Sequence, residues 1–373
     1  MRKLFLFLPV FIAVVARSNE IVTVVLNDGE QVKGKLWLPE KTKSISAIVV
    51  FVHGTGPNTF LNHRKLGNNE FDYYGVFGEE LIKRGIAFFS YNRRGCDTSS
   101  VAPFEKIDRD KFKKYLPATE ADDVSTILKT LQKDKRLKKS RILLLGWSEG
   151  TIIASMVAEN KKNNVSALLL AGYAHERMDS IISWQYSGAS SMQNLNPWFD
   201  QDGDGKISRK EYESDSSKAV TGRSRILRNT PFGLLDVNKD SVLNKEDFRQ
   251  LAAFKYKATL DAYEREDDEW IWNNYFKVTS AWMKAHFQLI PNKERLPRLK
   301  IPIYIFHGDA DANCDVNGVY DLERIFKEQK KNNLHYFIFK EHNHDLNFLN
   351  WVMRNEIPEG IEKIFAVAEE LAR

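Results

Sequence analysis

Hydrophobic runs divide the chain into short apolar segments and longer mixed ones that follow one another in turn. From Ile21 to Pro39, two β-rich runs flank Asn27-Asp28-Gly29, the signature of a hairpin. AIVVFVHG, residues 47–54, is an apolar strand buried on both faces. A helical spacing from Tyr74 to Arg84 stops at Gly85, and IAFFSYN, residues 86–92, reads as the next strand. Thr119 to Lys133 predicts a helix, RILLLGW at 141–147 a buried strand, the stretch from Glu149 a helix, and VSALLLAGY at 165–173 a further strand. The pattern stops after Tyr173. It resumes beyond Pro297 with IPIYIFHG at 301–308, a helix from Val316 to Lys330, LHYFIFK at 334–340 and a helix ending near Arg373. Such alternation predicts an α/β domain, a mostly parallel sheet with helices on both faces, interrupted by an insertion of about 120 residues.

The first residues break this rhythm. Met1-Arg2-Lys3, the apolar LFLFLPVFIAVV and the small residue Ala16 have the order of a secretory signal peptide, with cleavage expected after Ala16. The apolar run is shorter than the ~20 residues that span a bilayer, and no later segment is long and apolar enough. The mature protein is therefore expected to be secreted or periplasmic, without a membrane span. The division this predicts is a signal peptide over 1–16, an α/β core over 17–172 and 298–373, and an insertion over 173–297. Composition agrees with a folded protein, since 43% of residues are hydrophobic. Lys and Arg number 55 against 50 Asp and Glu, and the net +5 is spread along the chain, which gives no basis for nucleic-acid binding. Cys96 and Cys314 allow at most one disulfide.

Chemistry enters where the strand RILLLGW runs into Gly146-Trp147-Ser148-Glu149-Gly150 and then into a helix. This is a G-x-S-x-G elbow in its strand-turn-helix context, with Ser148 as candidate nucleophile. A serine hydroxyl needs a base to take its proton and a carboxylate to orient that base. The expected chain order is Ser, acid, His. Asp309, Asp311 and Asp315 follow one late strand, and His342 and His344 follow the next. Asp311 is the preferred acid, with Asp309 as alternative or turn cap; His344 is the preferred base, with His342 as alternative. His53 and His307, each before a glycine at a strand end, read as packing or turn residues. The oxyanion is expected to meet the backbone N–H groups of Glu149 and of Thr55, within the turn His53-Gly54-Thr55-Gly56-Pro57.

The insertion carries different chemistry. Residues 200–211 place Asp200, Asp202 and Asp204 at loop positions 1, 3 and 5, with Gly205 at 6, the carbonyl of Lys206 at 7, Ser208 at 9 and Glu211 at 12. That is a complete EF-hand loop, which wraps six to eight oxygens around one Ca2+. A second loop over 236–247 offers Asp236, Asn238, Asp240, the carbonyl of Val242, Asn244 and Asp247. It lacks glycine at position 6 and ends in the shorter Asp, so weaker binding is expected. In such pairs Ile207 and Leu243, at equivalent positions, face each other. An exported protein meets abundant calcium, so a structural role is expected rather than a sensing one.

The ordered set HGTGP, RGIAFFSYNRRGCDTSS, GWSEG, HGDAD and HNHDL resembles the α/β-hydrolase superfamily, in particular its bacterial esterase and serine-aminopeptidase-like branch. The resemblance covers roughly 20–172 and 298–373. It implies an α/β-hydrolase fold and places the mainly helical, EF-hand-bearing insertion as a lid over the nucleophile. Trp184, Tyr186, Trp198, Phe199, Trp270, Trp272 and Trp282 are then candidates for an aromatic lining or for ordinary packing. Arg93, Arg94 and Gly95 occupy a stretch that is usually structural in such relatives. Trp147 stands where relatives often have His, and Cys314 and Asp315 replace the usual apolar or proline residues. The activity implied is hydrolysis of a small-molecule ester or short peptide by an acyl-enzyme route. A catalytically inactive, calcium-dependent binding protein is the reading from another class.

Overall fold

The computed structural model describes residues 18–40 and 44–373, so the expected signal peptide and its cleavage point lie outside the described residues. Eight strands form one sheet: β1 Ser18–Val25, β2 Gln31–Leu38, β3 Ala47–Val52, β4 Ala87–Tyr91, β5 Arg141–Trp147, β6 Val165–Ala171, β7 Ile303–Gly308 and β8 Leu334–Phe339. Their spatial order is β1-β2-β4-β3-β5-β6-β7-β8. The β1–β2 and β2–β4 pairs are antiparallel and all the others are parallel.

The apolar strands are apolar throughout because both faces are covered. In β3, Ile48, Val50 and Val52 join the core beneath α2 (Pro117–Leu131) and α3 (Glu149–Glu159). Ala47, Val49 and Phe51 point the opposite way. They join a second core with α1 (Tyr73–Lys83) and the C-terminal helix Glu359–Ala372. The helix expected from Thr119 begins earlier, at Pro117, because proline at the first helical turn gives up an N–H that has no intrahelical partner there. Two small ribbons, His63–Leu66 with Asn69–Asp72 and Cys96–Thr98 with Glu105–Ile107, were not legible as strands, being too short to show a period. Cys96 and Cys314 are both buried and unpaired.

Between β6 and β7 the chain is mainly helical, with α4 Met178–Tyr186, α5 Ala189–Phe199, α6 Ser217–Arg225, α7 Lys245–Glu264, α8 Asp268–Asn274 and α9 Ser280–Phe287. One apolar cluster, including Leu195, Phe199, Ile207, Tyr212, Phe232, Leu243 and Phe248, is internal to this segment. A second joins Met178, Ile182, Ile271, Trp282 and Met283 to Tyr115 and Ile152 of the sheet domain. Among the described residues, no helix is long and apolar enough to cross a membrane.

Candidate active site

The turn after β5 is built by close approach. A Cβ on Gly150 would meet the carbonyl oxygens of Val52 and His53, and one on Gly146 would meet the backbone of Gly150. With glycine at both places, α3 starts directly against β3 and the chain between them turns sharply. Ser148 takes φ 58 and ψ −122, a strained conformation for a residue with a side chain. Its N–H donates to Ala171 O at 2.9 Å, and Thr151 Oγ1 donates to Ser148 O at 2.7 Å, so both peptide groups are pinned. Ser148, Thr55, Glu149 and His344 line one cavity of about 320 Å3, walled by Phe51, Tyr73, Tyr74, Met178, Ile181, Tyr275, Phe276 and Trp282.

Asp311 and His344 come together at the carboxyl ends of β7 and β8. His344 Nδ1 lies 2.9 and 2.8 Å from the two oxygens of the Asp311 carboxylate. Asp311 is fully buried, and its Oδ1 also accepts the N–H groups of Asn313 and Cys314 at 2.8 and 2.9 Å. Burial alone would raise the Asp311 carboxyl, but the His344 ring and these donors outweigh it and hold the group below the usual carboxylate range. For His344, burial opposes the charged form and the Asp311 charge and hydrogen bond overcome it, so its pKa is raised. Among the described residues, no hydrogen bond joins the Ser148 hydroxyl to the imidazole in this conformation; the two share the cavity.

The competing residues go elsewhere. Asp309 Oδ1 accepts Glu341 N at 2.6 Å and so caps the turn of the histidine loop. His342 Nδ1 faces Lys340 O at 3.0 Å. His53 is buried between Tyr74 Oη and Tyr91 O, each 2.8 Å away. His307 Nδ1 accepts Tyr173 N at 3.0 Å, and its other nitrogen lies 3.1 Å from Cys314 O. His53 behaves as a packing histidine, whereas His307 Nε2 also lies 3.5 Å from Asp311 Oδ2 and so backs that carboxylate.

Several supports escaped the sequence reading. Trp147 Nε1 donates to His344 O at 3.1 Å, and Gly172 leaves the space that the His344 ring occupies. Helices α4 and α5 grip the Asp311 loop through three successive carbonyls. Gln193 Nε2 donates to Asp311 O at 2.6 Å, Ser190 Oγ to Ala312 O at 2.5 Å and Gln185 Nε2 to Asn313 O at 2.9 Å. Polar side chains on a helix carry no sequence mark of such distant partners. Of the seven aromatics singled out in the insertion, Trp282 alone lines the cavity among the described residues, where Tyr275 and Phe276 join it. Phe199 packs on Tyr212 inside the insertion's own core, Tyr186 stacks on Tyr256 and Trp272 meets Phe112 edge-on. Trp184 and Trp198 line other cavities, and Trp270 packs beside the cluster that joins the insertion to the sheet domain.

In the two acidic loops of the insertion, Ile207–Ser208 pairs antiparallel with Val242–Leu243, with Ile207 opposite Leu243. Carboxylate oxygens of Asp200, Asp202 and Asp204 approach one another within 4.8 Å. Glu211 reaches back to accept Gln201 N at 2.7 Å and Ser208 N at 2.8 Å, and Asp247 does the same for Val237 N and Asn244 N at 2.9 and 3.0 Å. Loop positions 4 and 6 are left-handed in both: Gly203 and Gly205 in the first loop, Lys239 and Ser241 in the second. The second loop thus holds the same backbone course at a conformational cost that the glycines avoid.

A profile of the family described as "Serine aminopeptidase, S33" matches residues 43–348. The chain belongs to this hydrolase family. No curated protein matches it. Among solved structures, it is similar to a highly thermostable carboxyl esterase from Bacillus coagulans in complex with glycerol, with a TM-score of 0.54 at 18% identity over 95% of this chain and 99% of that one. It is also similar to the alpha/beta hydrolase GrgF from Penicillium sp. sh18, with a TM-score of 0.50 at 14% identity over 95% and 98%. Dipeptidyl peptidase 4 of Porphyromonas gingivalis gives 0.50 at 10% identity, over 94% of this chain and 35% of that one. At these identities the likeness shows the α/β-hydrolase fold. With the family it makes this S33 member a hydrolase of the esterase or peptidase kind.

The Asp311–His344 contact sets a titration. Because the carboxylate favours the imidazolium, His344 should titrate above the ordinary 6.5, and Asp311→Asn should bring it down. The sign for stability follows: this group's contribution is complete below the unfolded value and is lost as pH rises through the raised one. Ring-proton NMR of the histidines checks this, and a His344 value at or below 6.5 in the native protein would contradict the geometry.

Proposed function

We propose that the chain is an exported serine hydrolase that cleaves carboxylic esters through an acyl-enzyme, with residues 173–297 forming a calcium-stabilised lid. The observation that carries this reading is that His344, held by the buried Asp311, lines the same cavity as Ser148 on its elbow. Ser148 Oγ attacks the ester carbonyl carbon while its proton passes to His344 Nε2. Asp311 holds the ring by Nδ1 and stabilises the imidazolium. The N–H groups of Thr55 and Glu149 take the oxyanion, the C–O bond breaks, and the leaving alkoxide receives the proton from His344. Water then repeats the sequence, giving up its proton to His344 as the acyl group leaves Ser148. A cavity of about 320 Å3 with aromatic walls fits a short acyl group.

The esterase reading draws support from the fold of the Bacillus coagulans carboxyl esterase, and the family's description as serine aminopeptidase favours amide hydrolysis as the second reading. Both use the same nucleophile. Export draws its support from the order of charged, apolar and small residues in 1–16.

In the first acidic loop, Asp200, Asp202, Asp204, Ser208 and Glu211 with the Lys206 carbonyl would hold Ca2+. The convergence of three carboxylates within 4.8 Å fits a hard cation with six to eight oxygen ligands. The second loop would hold it through Asp236, Asn238, Asp240, the Val242 carbonyl, Asn244 and Asp247, more weakly. The ion would supply charge neutralisation to loops whose carboxylates otherwise repel, and so couple metal binding to folding of the segment.

Purified mature protein with calcium should turn over a short-acyl nitrophenyl ester, and Ser148→Ala should lower the rate by about three orders of magnitude or more without unfolding the protein. Retained turnover would remove Ser148 from the mechanism. Aminoacyl nitroanilide turnover above that blank would establish the peptidase reading. Chelation should lower Tm, by an amount equivalent to about 2.7 kcal/mol if the free ion was at a hundredfold excess over Kd. An unchanged melting curve in EDTA would count against structural calcium.

A further inference from the structure

The side chain of Glu149 is fully buried directly behind the elbow, although an exposed surface would cost a carboxylate far less. Three donors converge on it. Tyr115 Oη donates to Oε2, while Trp282 Nε1 and His286 Nε2 lie 3.0 and 2.8 Å from Oε1. Two of the three come from α9 of the insertion. His286 is itself fully buried, and its Nδ1 has no partner among the described residues, so its polar contact is spent on Glu149 alone.

A second half of the cluster reaches the other proposed oxyanion donor. Arg93 is fully buried, and its Nη1 donates to the carbonyls of Gly54 and Gly56, the residues on either side of Thr55. Its guanidinium lies over the Tyr115 ring at 3.9 Å, and Nη2 pairs with Glu120 at 3.3 Å. Tyr115 therefore touches both halves, the cation that grips the Thr55 turn and the carboxylate of Glu149.

We propose that His286, Tyr115 and Arg93 are positioning residues that fix the two oxyanion donors relative to each other, with the insertion supplying His286. The proposal rests on the reading of Ser148, Thr55 and Glu149 given above and deepens it. Its physical basis is that an oxyanion pocket acts through preorganised donors. Thr151 restrains the Ser148–Glu149 peptide at its carbonyl end, and anchoring the Glu149 side chain adds a second restraint, from the insertion, on the residue that carries the N–H. A carboxylate this near a developing negative charge must also be compensated, and hydrogen-bond donors together with the Arg93 charge do so. The insertion is on this account part of the catalytic apparatus, as well as a wall of the cavity.

The test compares His286→Leu, which removes the donor, with His286→Gln, which retains an N–H of similar reach, in the full mature chain with calcium. His286→Leu should lower kcat about tenfold or more with KM within about twofold, and weaken an alkyl boronic acid inhibitor in parallel with kcat. His286→Gln should recover most of both. Tyr115→Phe, which keeps the ring over Arg93 and loses only the hydroxyl, should move kcat and boronate affinity in the same direction, and it decides the matter if the His286 variants do not fold. Wild-type kcat in folded His286→Leu or Tyr115→Phe, or equal losses in the Leu and Gln variants, would overturn the proposal. If wild type and Ser148→Ala are equally active, the underlying reading fails instead, so the two failures are told apart.

Discussion

The conformation of Ser148, φ 58 and ψ −122, is possible only because α3 begins against the end of β3 with no Cβ between them. Such a backbone costs of order 1–3 kcal/mol and persists where its surroundings over-determine it. Here the surroundings are the sheet's two central strands, the Ala171 carbonyl and the Thr151 hydroxyl. The strain is thus offset by two strands whose side chains are almost all buried. The hydroxyl projects beyond the carboxyl edge of the sheet, where β7 and β8 deliver their loops.

Those loops are held from two directions. Trp147, one residue before Ser148, fastens the His344 carbonyl, and α4 and α5 fasten three carbonyls of the Asp311 loop. Farther out, Lys218 of α6 pairs with Glu341 at 2.8 Å, beside the cap that Asp309 makes on the same turn. The sheet thus sets Ser148, while the insertion touches the Asp311 loop, the His344 loop and Glu149. A segment that merely covered the cavity would not need polar contacts with all three.

What the sequence made legible follows from how locally each feature is encoded. All eight strands of the main sheet were readable because apolar runs and turn residues announce them, and the parallel arrangement followed from their alternation with helices. The Asp311–His344 contact was anticipated because chain order and strand ends restrict the candidates. Contacts across long separations were not anticipated. Nothing near His286 or Trp282 marks them as partners of Glu149, more than 130 residues away, and Arg93 read as structural because its stretch usually is so in relatives, which left its grip on the Gly54 and Gly56 carbonyls unmarked. Aromatic content left lining and packing both open for a related reason: Phe199 stacks on Tyr212 in the insertion's internal core, and composition does not say which core a ring joins.

The central claim is that the fold activates one serine. A fluorophosphonate probe, followed by peptide mass spectrometry, addresses it without knowledge of the natural substrate, because the reagent forms a bond only with a serine whose proton a base can take. The account predicts a single adduct on Ser148 in the native protein, formed much more slowly when His344 is replaced by Ala and absent after unfolding. No adduct in folded protein, or an adduct on another serine with Ser148 unmodified, would contradict it.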